Sequence, residues 1–172
     1  EPSAENHFTD VSESDWFYDH VLYVYQNGIM AGTSDTTFSP NDATTRAQIA
    51  AIFYRMDGSP ATTGDNSFTD VKNSSDTAWY YNAVLWAQQN GIVAGYGDGT
   101  FHPSDNITRE QLAVIFYNYA KYKGYDVSDI NDLSTFTDAE DISDWSREAM
   151  QWAVGSGFIS GMGDNTLNPK GT

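Results

Sequence analysis

The 172-residue sequence contains no cysteine, so it forms no disulfide and offers no thiolate to a metal or a substrate. Basic residues are scarce: 8 Lys and Arg stand against 24 Asp and Glu, a formal net charge of −16. Neutralising a phosphate backbone takes clustered Lys and Arg, so nucleic acid is not an expected partner. An anionic membrane surface is disfavoured on the same ground, and no apolar run approaches the roughly 20 residues that cross a bilayer. The three histidines, His7, His20 and His102, are scattered, and no zinc site or general base is expected from them. The chain opens at Glu1 without a signal-peptide pattern and reads as a processed or recombinant fragment.

What the sequence has in quantity is repetition. GIMAGTSDTTFSPNDATTRAQ (28–48) returns as GIVAGYGDGTFHPSDNITREQ (91–111) and again as GFISGMGDNTLNPKGT (157–172). Pro40, Pro103 and Pro169 stand 63 and 66 residues apart, and Trp16, Trp79 and Trp145 keep the same two spacings. A fixed period says more about architecture than any single motif. The chain divides on this basis into repeats at 1–60, 61–124 and 125–172.

Helical periodicity predicts two helices in each of the first two repeats. The first runs from about Trp16 to Gln26, with Ser12 to Asp15 as N-cap candidates and Phe17, Val21 and Val24 on one stripe. Its stop is Asn27-Gly28, since glycine takes the left-handed position after a helix without steric cost. Thr45 to Met56 is the second. Repeat two follows with Trp79 to Gln89 and Thr108 to about Lys123, and repeat three with Trp145 to Ser156. Asp10 or a later acid is well placed to accept backbone N–H groups. The linkers 58–67 and 125–135 are polar.

The second helices begin with capping boxes, Thr45 with Gln48 and Thr108 with Gln111. Arg46 and Arg109 therefore fall in the first turn, where the helix dipole disfavours a cation by up to about 1 kcal/mol. A local rule broken twice at one place points to function. Free N–H groups and a guanidinium fork converge there on a carboxylate or phosphate. The plainer alternative is a pair of surface arginines, or arginines paired with nearby acids. Trp16, Trp79 and Trp145 read either as core or as flat apolar faces for a sugar ring. Gly32, Gly95 and Gly161 read first as turn glycines, with close ligand approach as the second reading.

Each repeat has the same order of submotifs. Phe8-Thr-Asp10, Phe68-Thr-Asp70 and Phe136-Thr-Asp138 precede the aromatic helix starts at Trp16-Phe17-Tyr18, Trp79-Tyr80-Tyr81 and Trp145. Gly-Ile-x-x-Gly turns, an Asp-Gly-Thr-Phe-x-Pro loop and Thr-Thr-Arg-Ala-Gln or Ile-Thr-Arg-Glu-Gln follow. This order resembles the S-layer homology (SLH) module, over about residues 8 to 172. The resemblance implies an all-α fold, a pseudo-threefold arrangement of helix-loop-helix repeats around a central helical bundle. It also implies a non-catalytic, extracellular anchor for bacterial cell-wall polysaccharide, held in inter-repeat grooves through an acidic substituent such as a pyruvate ketal. Arg46, Arg109, Trp16, Trp79, Trp145, Gly32 and Gly95 are then the expected ligand contacts, with no cofactor and no metal.

The third repeat departs from that pattern. Arg46 and Arg109 each lie six residues past their proline, and the count from Pro169 runs beyond Thr172. One helix of the bundle is therefore expected to be absent, with Ile49, Ile52, Phe53, Leu112, Ile115 and Phe116 partly uncovered. A separate segment, a partner chain or a continuation of the chain is expected to fill the gap, and a protein–protein assembly module is the competing reading. The Asp-rich loops at Asp35, Asp98 and Asp164 lack the alternating acids and final Glu of an EF-hand. Gly95 to Gly99 is not a dinucleotide fingerprint. A glycan-cleaving carboxylate pair has no support beyond the abundance of acids.

Overall fold

The computed structural model describes residues 6–172, and its order is helical throughout. Five α-helices occur among the described residues: α1 (Tyr18–Gln26), α2 (Arg46–Met56), α3 (Ala78–Gln89), α4 (Arg109–Tyr122) and α5 (Arg147–Gly155). No strand forms there, only an isolated bridge between Thr45 and Asn106, so the all-α expectation holds.

Both capping boxes form. The Gln48 N–H donates to Thr45 Oγ1 (3.3 Å) while the Thr45 N–H donates to Gln48 Oε1 (2.7 Å); Thr108 and Gln111 repeat the exchange at 3.3 and 3.1 Å. Two of the first helices, α1 and α5, start two residues later than the periodicity suggests, whereas α3 starts one residue earlier, at Ala78. Ser12 to Asp15 does not cap α1. It closes a turn of its own, the Asp15 carboxylate accepting the Ser12 N–H (2.8 Å), and Phe17 precedes α1 with no side-chain cap. A single 3₁₀ turn, Asp144–Ser146, likewise precedes α5.

Each second helix covers the first helix of the next repeat: α2 lies on α3, and α4 on α5. This buries Trp86 on α3 and Trp152 on α5, whereas Tyr23, at the same repeat position in α1, is 63% exposed. Val21 is the one fully buried residue of α1. The second helices also meet each other, Phe53 packing on Phe116 and Tyr119 with ring centroids 5.1 and 4.7 Å apart. Ile49, Phe53 and Ile115 are therefore buried, contrary to the expectation of uncovered faces. Ile52, Leu112 and Phe116 stay partly buried, as expected.

The loop after each first helix is held by the Phe-Thr-Asp motif of its own repeat. Asp70 accepts the N–H groups of Phe101 (2.8 Å) and His102 (2.7 Å). Asp10 does the same for Phe38 and Ser39, and Asp138 for Leu167 and Asn168. Ser39, His102 and Asn168 all sit at φ of 50 to 61°, a left-handed conformation costing about 1–2 kcal/mol in a non-glycine residue. Two charge-assisted bonds per carboxylate offset it.

The motif phenylalanine explains the glycines. A Cβ on Gly95 would collide with the Thr100 carbonyl and come within 2.7 Å of the Phe68 ring; Gly32 and Gly161 face Phe8 and Phe136 at 2.8 and 2.9 Å. Only Gly32 of the three has a positive φ, so tight packing rather than turn geometry is the shared requirement. Gly95→Ala should cost about 1–3 kcal/mol by overpacking, measured as a lowered urea midpoint with unchanged slope. Gly28→Ala, where a Cβ meets nothing within 4 Å, should cost only the positive-φ penalty of about 1 kcal/mol.

Candidate functional site

Arg46 spans the joint between repeats one and two. Its Nε donates to the Phe101 carbonyl (2.7 Å) and its Nη2 to the Ala94 carbonyl (3.0 Å). The backbone N–H groups of Arg46 and Ala47 donate to Asp105 O (2.9 Å) and Pro103 O (3.0 Å). Arg109 repeats the pattern 63 residues on, with Nε to Leu167 O (2.7 Å) and Nη2 to Ser160 O (2.6 Å). The N–H groups of Arg109 and Glu110 donate to Gly171 O and Pro169 O. The N–H groups expected to be free for an anion are thus taken by the next repeat's loop. Four carbonyl oxygens gather at each positive helix end, which resolves the electrostatic objection to an arginine there.

Arg46 is buried, its guanidinium carbon 4.9 Å from the Tyr96 ring centroid and 4.6 Å from that of Phe101. Burial pushes this guanidinium below its ordinary value, with Tyr96, Asp105 and Asp70 opposing. For Arg109 burial acts the same way, opposed by Asp138. Met162 and Leu167 occupy the repeat positions of Tyr96 and Phe101 there, so the second guanidinium has no aromatic sleeve.

Two grooves open at the joints. One, of about 400 Å³, is lined by Arg46, Gly95, Tyr96, Gln111 and Trp145 among others. The second, of about 520 Å³, is lined at matching repeat positions by Gly32, Gln48, Ile52 and Trp79, and also by Arg55. Of the residues singled out in the sequence, Arg46, Gly95 and Trp145 come together in the first groove, and Gly32 and Trp79 in the second. Arg109 and Trp16 line neither. The three tryptophans are 85% (Trp16), 50% (Trp79) and 61% (Trp145) exposed, so none is a fully buried core residue.

Sequence reasoning missed Gln48, Gln111, Tyr96 and Arg55. The glutamines were visible as capping-box partners. Their Oε1 serves the cap, and at Gln111 the Nε2 turns to the groove and donates to Tyr96 Oη (3.0 Å). Arg55 had a subtler signal: α4 has Asn118 at the same repeat position.

Charge pairing is sparse for so acidic a chain. The ion pairs among the described residues are Lys123 with Asp57, Lys170 with Glu110, and His102 with Asp105 where the imidazole is protonated. None of the four arginines is in one. Glu110 ties α4 to the third repeat, its buried carboxylate accepting from the Ser143 N–H (3.0 Å), the Ser146 hydroxyl (2.9 Å) and Lys170 Nζ. Burial alone pushes this carboxyl upward, but the bonds from Lys170, Ser143 and Ser146 outweigh it and hold it below its ordinary value.

Repeats whose second helices pin the next repeat through a guanidinium, with aromatic-walled grooves between them, define a helical tandem-repeat protein. The family profile described as S-layer homology domain matches residues 7–50, 67–113 and 135–172, and the chain belongs to that family. The third match contains no counterpart of α2 and α4. Similar proteins include an endoglucanase of Bacillus sp. (strain KSM-635), 34% identical over 95% of this chain and 17% of its own length. The surface-layer 125 kDa protein of Lysinibacillus sphaericus is 33% identical over 83% of the chain and 12% of its own length. The cellulosome-anchoring protein of Acetivibrio thermocellus is 27% identical over 98% of the chain and 36% of its own length. The chain thus spans well under half of each of these relatives.

The Glu110 cluster sets an acid limit on stability. A carboxylate held below its ordinary 4.5 contributes stability that is present above that value and lost as pH falls through the folded one. Urea midpoints between pH 7 and 3 should therefore fall more steeply below about pH 4.5 in the wild type than in Glu110→Gln, which starts lower and lacks this titration.

Proposed function

We propose that the chain is a non-catalytic anchor that holds a protein to the bacterial cell surface by gripping an acidic wall polysaccharide in its inter-repeat grooves. The observation that carries this is the groove at Trp145. Arg46 uses Nε and Nη2 on carbonyls and leaves Nη1 without a partner among the described residues. It forms no ion pair with a carboxylate of the described residues, and it lines a sugar-sized cleft walled by an exposed indole and the Tyr96–Gln111 pair. A guanidinium matches a carboxylate such as that of a pyruvate ketal better than an ammonium does. The names of the surface-layer and cellulosome-anchoring relatives support the anchoring role, and a match to only 17% of the endoglucanase fits a module distinct from a catalytic one.

Co-sedimentation with purified cell wall tests the reading. Trp145→Ala should weaken binding about tenfold, the loss of roughly 1.4 kcal/mol of ring contact, and esterifying the wall carboxylates should weaken it further. Binding indifferent to both changes would refute the proposal.

A second reading concerns completion of the bundle. The order in which α2 covers α3 and α4 covers α5 supports a pseudo-threefold arrangement in which a third such helix, from another segment or chain, covers α1. Tyr23 is exposed on α1, and Phe158, 58% exposed, stacks on Phe116 at 5.2 Å. An added amphipathic helical peptide beginning Thr-Arg-x-Gln should raise the melting midpoint of the chain by several degrees. No shift at saturating peptide, with no self-association by sedimentation, would count against it.

A further inference from the structure

The two grooves occupy the same place in successive repeats, yet they carry positive charge on different residues. In the Trp145 groove the guanidinium is that of Arg46, reaching over from the preceding repeat. In the Trp79 groove it is that of Arg55, in the last turn of α2. Arg55 and its counterpart Asn118 do one structural task in common. Arg55 Nη1 donates to the Ile29 carbonyl at 3.2 Å, and Asn118 Nδ2 donates to the matching Ile92 carbonyl at 3.3 Å. An asparagine is therefore enough for that bond, and the charge and remaining donors of Arg55 are not needed for it.

Those donors are also not spent on the protein's own acids. The chain carries 24 Asp and Glu, and Asp42 lines the same groove, but Arg55 forms no ion pair among the described residues. A half-buried guanidinium is thus held unpaired in a groove of about 520 Å³ beside the exposed Trp79 ring. Its single carbonyl bond fixes the arm and leaves the fork open for a bidentate contact.

We infer that Arg55 is the anion-contacting residue of the Trp79 groove, and that the two grooves take a carboxylate-bearing saccharide in different registers. In the Trp79 groove the acid group meets the C-terminal turn of α2, with the sugar ring on the indole. In the Trp145 groove it meets the Gly95 loop, where Arg46 enters. This inference rests on the acidic-polysaccharide reading and assigns it a residue outside the repeated arginine motif.

The test is NMR of the Trp79 and Trp145 indole N–H resonances during titration with the 4,6-pyruvate ketals of methyl β-glucoside and methyl β-mannoside. The 4,6-isopropylidene analogues, with a methyl in place of the carboxylate, are the uncharged controls. In the wild type the Trp79 signal should shift with a ketal and respond at least tenfold more weakly to its analogue. Arg55→Asn, which keeps the bond Asn118 already makes, should weaken the Trp79 response tenfold or more and leave that of Trp145 and the melting midpoint in place. An unchanged Trp79 response in Arg55→Asn, or equal response to charged and uncharged sugars, would overturn the inference. Response at Trp145 alone would overturn it while the polysaccharide reading stands. Silence of both signals towards every sugar in the wild type would count against the two together.

Discussion

The guanidinium that leaves one repeat and closes on carbonyl oxygens of the next is the contact on which this structure depends. Arg46 bridges Ala94 and Phe101, and Arg109 bridges Ser160 and Leu167, while the neighbouring helix-start N–H groups bind two more carbonyls of the same loop. Helix start, loop and groove are fixed in one act, because the loop that accepts these bonds also carries the glycine and backbone of the groove wall. A lysine has the charge but lacks the planar fork that reaches two carbonyls at once.

The loop can accept such a clamp because it is already rigid. The aspartate of each Phe-Thr-Asp motif binds two successive N–H groups on one side of the loop, and the phenylalanine closes against a glycine that admits no Cβ. Since the arginines bind neutral oxygens, the acidic surplus of the chain is not cancelled inside the fold. A net charge of −16 then surrounds a few isolated positive centres, Arg46 and Arg55 among them, that line clefts.

Much of this was legible in the sequence, and the limits are physical. The capping boxes, the helix stops and the three-repeat plan depend on local spacing, and they form as read. The role of Arg46 depends on residues 48 and 55 positions away, Ala94 and Phe101, and no local rule foretells that its N–H neighbours would be occupied. The expectation of uncovered faces failed at Ile49, Phe53 and Ile115 because α3 and the mutual contact of α2 with α4 bury them. The glycines were assigned to turns because a positive φ is the usual reason for glycine. Their contact with a phenylalanine some 25 residues earlier is visible only in three dimensions. Arg55 was passed over because it repeats nowhere, although its departure from Asn118 is what marks it.

Because the two clamping arginines, Arg46 and Arg109, both reach forward along the chain, the joints between repeats have a grain. Repeat two is needed to seat the start of α2, and repeat three to seat the start of α4, but neither later loop depends on a cation that follows it. Tension or proteolysis beginning at the carboxyl-terminal side should therefore loosen the repeats one after another, while the same insult at the amino-terminal side meets units already locked by their successors.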